Sequence, residues 1–223
     1  MSDFEKTPRN KVRRVPERAH YDKATIYQIV DEALICHVGF VQEGHPFVIP
    51  TIHARVDDQL ILHGAKASRL LKHVEQGHEV CVTITLLDGL VMARSVFHHS
   101  MNYRSVLLFG KGHVVNDKQE KMGYMEALTE HIMPGRWDDA RRPNEKELKA
   151  TTLVVLTIDS ASAKVRTGPP VDDEEDYQLP VWAGVLPLSQ QVMEPKDDPR
   201  LEHQVPIPEY IRKYHRGGKI LTA

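Results

Sequence analysis

From residue 22 the hydrophobic positions recur first at helical spacing and then at strand spacing. Ile26, Ile29, Val30, Ala33 and Leu34 follow i, i+3, i+4, i+7 and i+8, which predicts a helix capped by Asp22 and running through Ala33 with one buried face. β-Branched runs of strand length follow: Leu34–Val41, Pro46–Val56, Gln59–Leu62, Glu79–Leu87, Leu90–Phe97 and Arg104–Val115. Gly44, Asp57-Asp58 and Asp88-Gly89 lie between them as hairpin connections, and strands joined this closely are antiparallel. Two helices interrupt the strands. Ala67–Gln76 sets Leu70, Leu71 and Val74 on one side and stops at Gly77, and Asp117–Ile132 opens on a capping box and is expected to bury Met122, Met125, Leu128 and Ile132. A loop bounded by Pro134 and Pro143 leads to a short helix from Asn144, and Thr151–Ile158 is expected to be the last strand of the barrel.

The pattern predicts a mainly β protein with peripheral helices, an antiparallel barrel that leaves few exposed edges. It divides the 223 residues into a basic arm (1–22), a barrel domain (23–166) and a Pro-rich, acidic wrap (167–223). The wrap holds six prolines between Pro180 and Pro208 and the acidic run Asp172–Asp176, too little apolar residue for a core of its own.

Charge and cysteine content narrow the function. Twenty-nine Lys and Arg against 31 Asp and Glu give a net charge of -2, which argues against a nucleic-acid binder. No apolar run is long enough for a membrane helix, and Met1–Lys6 has no signal-peptide character. Cys36 and Cys81 sit in strand-like runs as small hydrophobes, too few for a disulfide framework, so the expected setting is the reduced cytoplasm. The first 19 residues carry Lys6, Arg9, Lys11, Arg13, Arg14 and Arg18, readable either as an arm that contacts phosphate or as a solvated or subunit-wrapping tail. Among 13 histidines no paired metal spacing occurs, and His98 and His99, adjacent on a strand, would face opposite sides, so no metal site is expected.

Two stretches carry chemistry. In Leu60–Leu71 a strand ends at His63, small residues turn the chain, and a helix begins near Ala67. Its free first-turn N–H groups, with Lys66, Ser68 and Arg69, suit a phosphate, although local sequence alone favours the plainer reading of an N-cap Ser among solvated cations. In Phe97–Val106, Asn102, Arg104 and Ser105 crowd polar groups at the start of a strong strand.

These stretches carry a resemblance. Arg13–Asp22, His63-Gly64-Ala65 with Ser68-Arg69, Ser100–Val106, Pro134-Gly135-Arg136 and Val181–Leu188 together resemble the FMN-binding split-barrel superfamily of pyridoxine 5′-phosphate oxidase, on the branch of nitroimidazole-reductase-related flavoproteins. The resemblance implies a homodimer with FMN at the subunit interface and an oxidoreductase acting on a small organic molecule, with a nicotinamide cofactor as candidate electron donor. It implies that Lys66, Ser68 and Arg69 hold the flavin phosphate beside His63 and Gly64, that the flavin ring meets the Pro50-Thr51-Ile52 strand, and that Asn102, Arg104 and Ser105 lie by ring or phosphate. Trp182 would reach the site from the partner, and His63 is the candidate catalytic residue. The tail Val205–Tyr214 departs from the Arg- and Trp-rich ending of pyridoxine-phosphate oxidases, which argues against that substrate. The alternatives are a non-catalytic flavin sensor or store and a haem-binding split barrel, with no particular histidine singled out as haem ligand.

Overall fold

In the computed structural model, which describes residues 3–201 and 205–215, ten strands form a continuous antiparallel network. In chain order they are β1 (Ala19–His20), β2 (Ile35–Gln42), β3 (His45–Val56), β4 (Gln59–Ala65), β5 (Val80–Met92), β6 (Ser100–Gly110), β7 (Gly112–Val114), β8 (Thr151–Thr157), β9 (Ser160–Arg166) and β10 (Gly184–Pro187). The helices are α1 (Lys23–Glu32), α2 (Arg69–Glu75), α3 (Lys118–Ile132), α4 (Arg136–Asp139), α5 (Glu145–Ala150) and α6 (Glu209–Arg212). The strand order is β1-β9-β6-β5-β2-β3-β4-β8-β7, with β10 added to β5.

The barrel closes through a single run of chain. β6 pairs with β5, the run kinks at Lys111, and its continuation β7 pairs with β8. That completes the ring β5–β2–β3–β4–β8–β7/β6. Closure demands a residue without a side chain: a Cβ on Gly110 would lie 1.9 Å from the Thr157 carbonyl oxygen.

Alternation along the strands fills the interior with Val38, Phe40, Leu60, Leu62, Val82, Ile84, Val106, Leu108, Val154 and Leu156, and α1 and α2 add Ile26, Val30, Leu70 and Val74. A second cluster, Ala54, Ile61, Leu153, Val155 and Leu128, packs α3 on the opposite face of β3, β4 and β8. Asp22, Ser68, Asp117 and Asn144 each accept a hydrogen bond from a first-turn amide, so the N-caps of α1, α2, α3 and α5 are side-chain caps.

Several expectations are corrected. Glu79–Leu87 and Leu90–Phe97 are not two strands joined at Asp88-Gly89. They are one strand, β5, with a bulge between Leu87 and Gly89, and Val96–His98 is a 3₁₀ turn. Gly89 is buried because β10 crosses it, so the pair reads as a turn in sequence but serves as a strand junction. Thr151–Ile158 is followed by a further strand, β9, built from small residues that pack against β6. In α3, Leu128 is buried and the methionines are half-exposed. The Pro134–Pro143 loop contains α4. His98 and His99 end the 3₁₀ turn, where His98 lies 3.3 Å from Asp173 and His99 Nδ1 lies 2.9 Å from the Ser95 carbonyl. Cys81 is half-exposed, whereas Cys36 is buried.

Both flanks dock on the barrel. Phe4 is buried against Tyr27, and Asn10 donates to the Ala161 carbonyl at 3.0 Å. Asp172 accepts from the amides of Arg94 and Ser95 at 2.9 and 3.1 Å and pins the segment that leads to β10. Residues 1–2, 202–204 and 216–223, parts of the arm and the wrap, lie outside the described residues. No helix among the described residues is long and apolar enough to cross a membrane.

Candidate functional site

The site is opened by a change of partner in the middle of β3. Residues 45–52 of β3 pair with β2, ending at Ile52 opposite Ile35, and residues 53–56 pair with β4, beginning at His53 opposite Leu62. Continuing that second ladder by one step would set Ile52 against His63, but the pairs stop. A seam therefore opens between Pro50-Thr51-Ile52 on one side and His63-Gly64 on the other. Pro50 suits this edge because it has no N–H to leave unpaired.

Sequence parity puts Ile52, His63 and Ala54 on the same outer face of the sheet, the face that α3 covers further along. At the end of β4 the turn through Lys66 leads into α2. Ser68 caps α2 by accepting from the Leu71 amide at 3.4 Å. Lys66 is exposed, and the guanidinium of Arg69 lies 4.2 Å from the centroid of the Phe47 ring on β3, which stacks on Phe40 at the interior face rather than on the face of Ile52 and His63. Pro50, Thr51 and Ile52 flank the step at which the pairs stop on the β3 side and His63 and Gly64 on the β4 side, and Lys66, Ser68 and Arg69 follow in the turn and first residues of α2.

His63 is the electrostatic oddity of the opening. Its Nδ1 is buried without a hydrogen-bond partner among the described residues. Burial also lowers its pKa from the ordinary imidazole value, which favours the neutral ring. A buried, unsatisfied ring nitrogen is an acceptor or donor available to a ligand.

Asn102, Arg104 and Ser105 lie elsewhere in the protomer. β6 is separated from β3 by β5 and β2, about 14 Å at the usual strand spacing. Asn102 and Arg104 point inward. Arg104 is held by Asp88 and Glu32, and Asn102 donates to the Gly168 carbonyl at 3.1 Å and accepts from Arg166. Ser105 faces outward, and its hydroxyl donates to the Lys164 carbonyl at 3.3 Å. Trp182 is exposed, its ring against Gly184. None of these four meets the seam within one chain.

Two features escape a reading by motif. Phe47, which seats Arg69, follows Pro46 in what reads as an ordinary strand start. The outer face of the barrel sheet is apolar and open: Ile35, Val41 and Val48 are 52%, 59% and 65% exposed, and Ile52 and Leu107 flank them. The signal for that face was present in β2 and β3, where both alternating sets of residues are apolar and a half-solvated sheet should show one.

A closed antiparallel barrel whose strand β3 changes partner partway along defines the class as a split barrel. The chain belongs to the pyridoxamine 5′-phosphate oxidase family, whose model matches residues 22–165. Among solved structures it is similar to the flavocytochrome Anf3 from Azotobacter vinelandii, with 43% identity over 95% of this chain and 98% of that one and a TM-score of 0.89. It is also similar to an FAD and haem binding protein from Mycobacterium smegmatis, with 36% identity over 87% and 96% of the two chains and a TM-score of 0.84. A 5-nitroimidazole antibiotic resistance protein from Bacteroides thetaiotaomicron shares the fold at 24% identity, covering 66% of this chain and 86% of that one, with a TM-score of 0.57. No curated protein matches the chain.

Proposed function

We propose that the protein is a flavin-binding redox protein that lays its flavin along the seam between β3 and β4 and carries haem as well. The observation that carries the reading is the His63 Nδ1, buried without a hydrogen-bond partner among the described residues at the step where the β3–β4 pairs stop, with Lys66, Ser68 and Arg69 following in the turn into α2. Lys66 and Arg69 hold the phosphate end through charge-assisted hydrogen bonds, and the released edge at Thr51 and Ile52 offers backbone groups to the ring. FAD is favoured over FMN because the Mycobacterium smegmatis relative binds FAD and haem.

Two copies complete the site by pairing through the outer face of Ile35, Val41, Val48 and Leu107, since an open apolar patch of this kind marks an interface. Trp182, exposed on the C-terminal segment, reaches the partner's seam in that dimer. The donor set on this face also fits haem. His37 is exposed among these apolar side chains, opposite Pro50 and next to Thr83, an imidazole on apolar ground where a porphyrin can lie. When bound, the flavin supplies hydride and single-electron chemistry and the haem supplies single-electron transfer. This chain's residues bind and orient both groups, and electron delivery to a small organic acceptor is the catalytic extension of the reading.

One experiment tests it. The absorption spectrum of the purified protein, with mass identification of the released chromophores, should show flavin bands and a Soret band, with FAD as the flavin. His37→Ala should lose the Soret band and keep the flavin. A colourless protein that takes up neither FAD, FMN nor haemin would overturn the proposal.

A further inference from the structure

Arg166 ends β9 as a buried cation without an anion. It is 7% exposed, and its guanidinium donates to three neutral oxygens: the Asn102 side-chain carbonyl, the Gly168 carbonyl at 3.5 Å and the Pro169 carbonyl at 3.3 Å. Among the described residues no carboxylate lies within ion-pair distance of Arg13, Arg14, Arg18 or Arg166. The other buried arginine of this region, Arg104, has two carboxylates. Burial lowers the pKa of Arg166, the neighbouring Arg18 lowers it further, and the Tyr103 phenol acts in the opposite direction. A buried charge kept beside a like charge and solvated by carbonyls is unfavourable in the absence of a counter-ion.

The chain also holds Arg18 in place at a cost. Val15 adopts the left-handed conformation, φ 55° and ψ 60°, which a β-branched residue rarely tolerates. That bend starts the 3₁₀ turn Pro16–Arg18, whose Arg18 amide donates to the Val15 carbonyl at 3.2 Å. Lys164 Nζ donates to the Arg14 carbonyl at 2.9 Å and the Ala19–Lys164 pair ties β1 to β9, so the arm is anchored on both sides of the turn. Strain in the backbone, repulsion between cations and a buried guanidinium with neutral partners converge on one spot.

We infer that Arg18 and Arg166, with Asn102 and Tyr103 beside them, form a binding site for an oxyanion, a carboxylate or phosphate group of a small molecule. The site lies on the β1–β9–β6 flank of the sheet, apart from the β3–β4 seam; its small-molecule form stands without the cofactor reading of the proposed function, and its resident-cofactor form rests on that reading. Asn102 keeps the Arg166 fork oriented, and the half-buried Arg18 closes over the group once it is neutralised. The oxyanion comes either from a separate small molecule or from a cofactor resident in the protein.

Thermal unfolding at constant ionic strength, in chloride buffer titrated with inorganic phosphate or with acetate, tests the site. The protein is measured as isolated and again after dialysis against potassium bromide to strip bound cofactor. A saturable rise in Tm before stripping identifies a separate small molecule, and a rise that appears only after stripping identifies an oxyanion of the resident cofactor. Arg18→Gln should weaken the apparent affinity about tenfold or more while leaving Tm in chloride alone unchanged or higher, because it removes a like-charge neighbour. Repeating the titration in the Lys66→Ala, Arg69→Gln background separates this response from any phosphate held at the seam. An Arg18→Gln protein that responds like wild type, a wild type that responds in neither state, or an Arg18→Gln protein destabilised in chloride would overturn the inference.

Discussion

Arg104 forks onto Asp88, with Nε donating to Oδ2 at 2.9 Å and Nη2 to Oδ1 at 2.7 Å, and the rest of its guanidinium is taken by Glu32 at the end of α1. The pair locks the bulge of β5 to β6 and α1 to both. All three side chains are nearly buried, which makes Arg104 a structural cation rather than a free ligand for a flavin within its own protomer. Arg104→Ala leaves two carboxylates facing each other in a dry place, and the expected loss is about 3–5 kcal/mol. Urea unfolding measures it. Arg104→Lys with full stability but no bound flavin would return Arg104 to the cofactor site.

Much of this arrangement was legible in sequence, for a physical reason. The helices carry side-chain caps and periodic apolar faces, and the barrel strands alternate. The turn from His63 to Arg69 combines small residues with cations, a local signal. What failed was non-local. Asp88-Gly89 satisfies hairpin chemistry, and only the crossing of β10 over Gly89 turns it into a bulge. Arg104 and Asn102 read as site residues because they are polar at a strand start, and their partners Glu32 and Arg166 lie more than 60 residues away. β9 was missed because Ser160-Ala161-Ser162-Ala163 has little strand propensity, and its small side chains serve the close packing against β6.

Asp172 holds the segment before β10 to the Arg94-Ser95 backbone. Burial alone would raise its pKa, but the Ser95 and Arg94 amides and the Arg94 guanidinium outweigh burial and hold it below the ordinary aspartate value of 3.8. A depressed carboxylate contributes stability that is complete above 3.8 and fades as pH falls through its folded value. Asp172→Asn should therefore open the 168–188 segment at neutral pH, and the wild type should open it only in acid. Hydrogen exchange of β10 amides reads both, and β10 protection unchanged in Asp172→Asn would show that strand pairing alone holds the segment.

The same sign governs His63. Its folded pKa lies below the ordinary 6.5, so its contribution is complete above that value and is lost as pH falls from 6.5 through the folded value. The urea midpoint should drop between pH 7 and pH 5, and His63→Asn should flatten that part of the profile. An unchanged profile in the variant would assign the drop to other groups, His73 first, since burial lowers its pKa as well.

Arg69 sits between two roles, the Phe47 ring and the proposed flavin phosphate. Arg69→Ala should weaken flavin retention by about 1.5–3 kcal/mol, roughly tenfold to a hundredfold, if the phosphate contact is made. Stability should change little, because the exposed cation–π contact contributes only about 0.5–1 kcal/mol. Equilibrium dialysis against the flavin, beside a melting curve, separates the two. Unchanged flavin affinity would remove Arg69 from the site.

The two thiols report on the barrel wall from opposite sides. Cys36 points into the core, and burial pushes its pKa up to about 12, so almost no thiolate forms at neutral pH. Cys81 is half-exposed on the outer face, opposite Phe109 and Gly39, and burial raises its pKa more modestly. Native protein treated with iodoacetamide should label slowly at Cys81 and not at Cys36, and both should label in denaturant. Because Cys81 shares its face with the apolar patch of Val48 and Leu107, the proposed dimer would slow its labelling further, and dilution to monomer should restore the rate. Rapid modification of Cys36 in the folded state would mean that the barrel opens far more often than its packing allows.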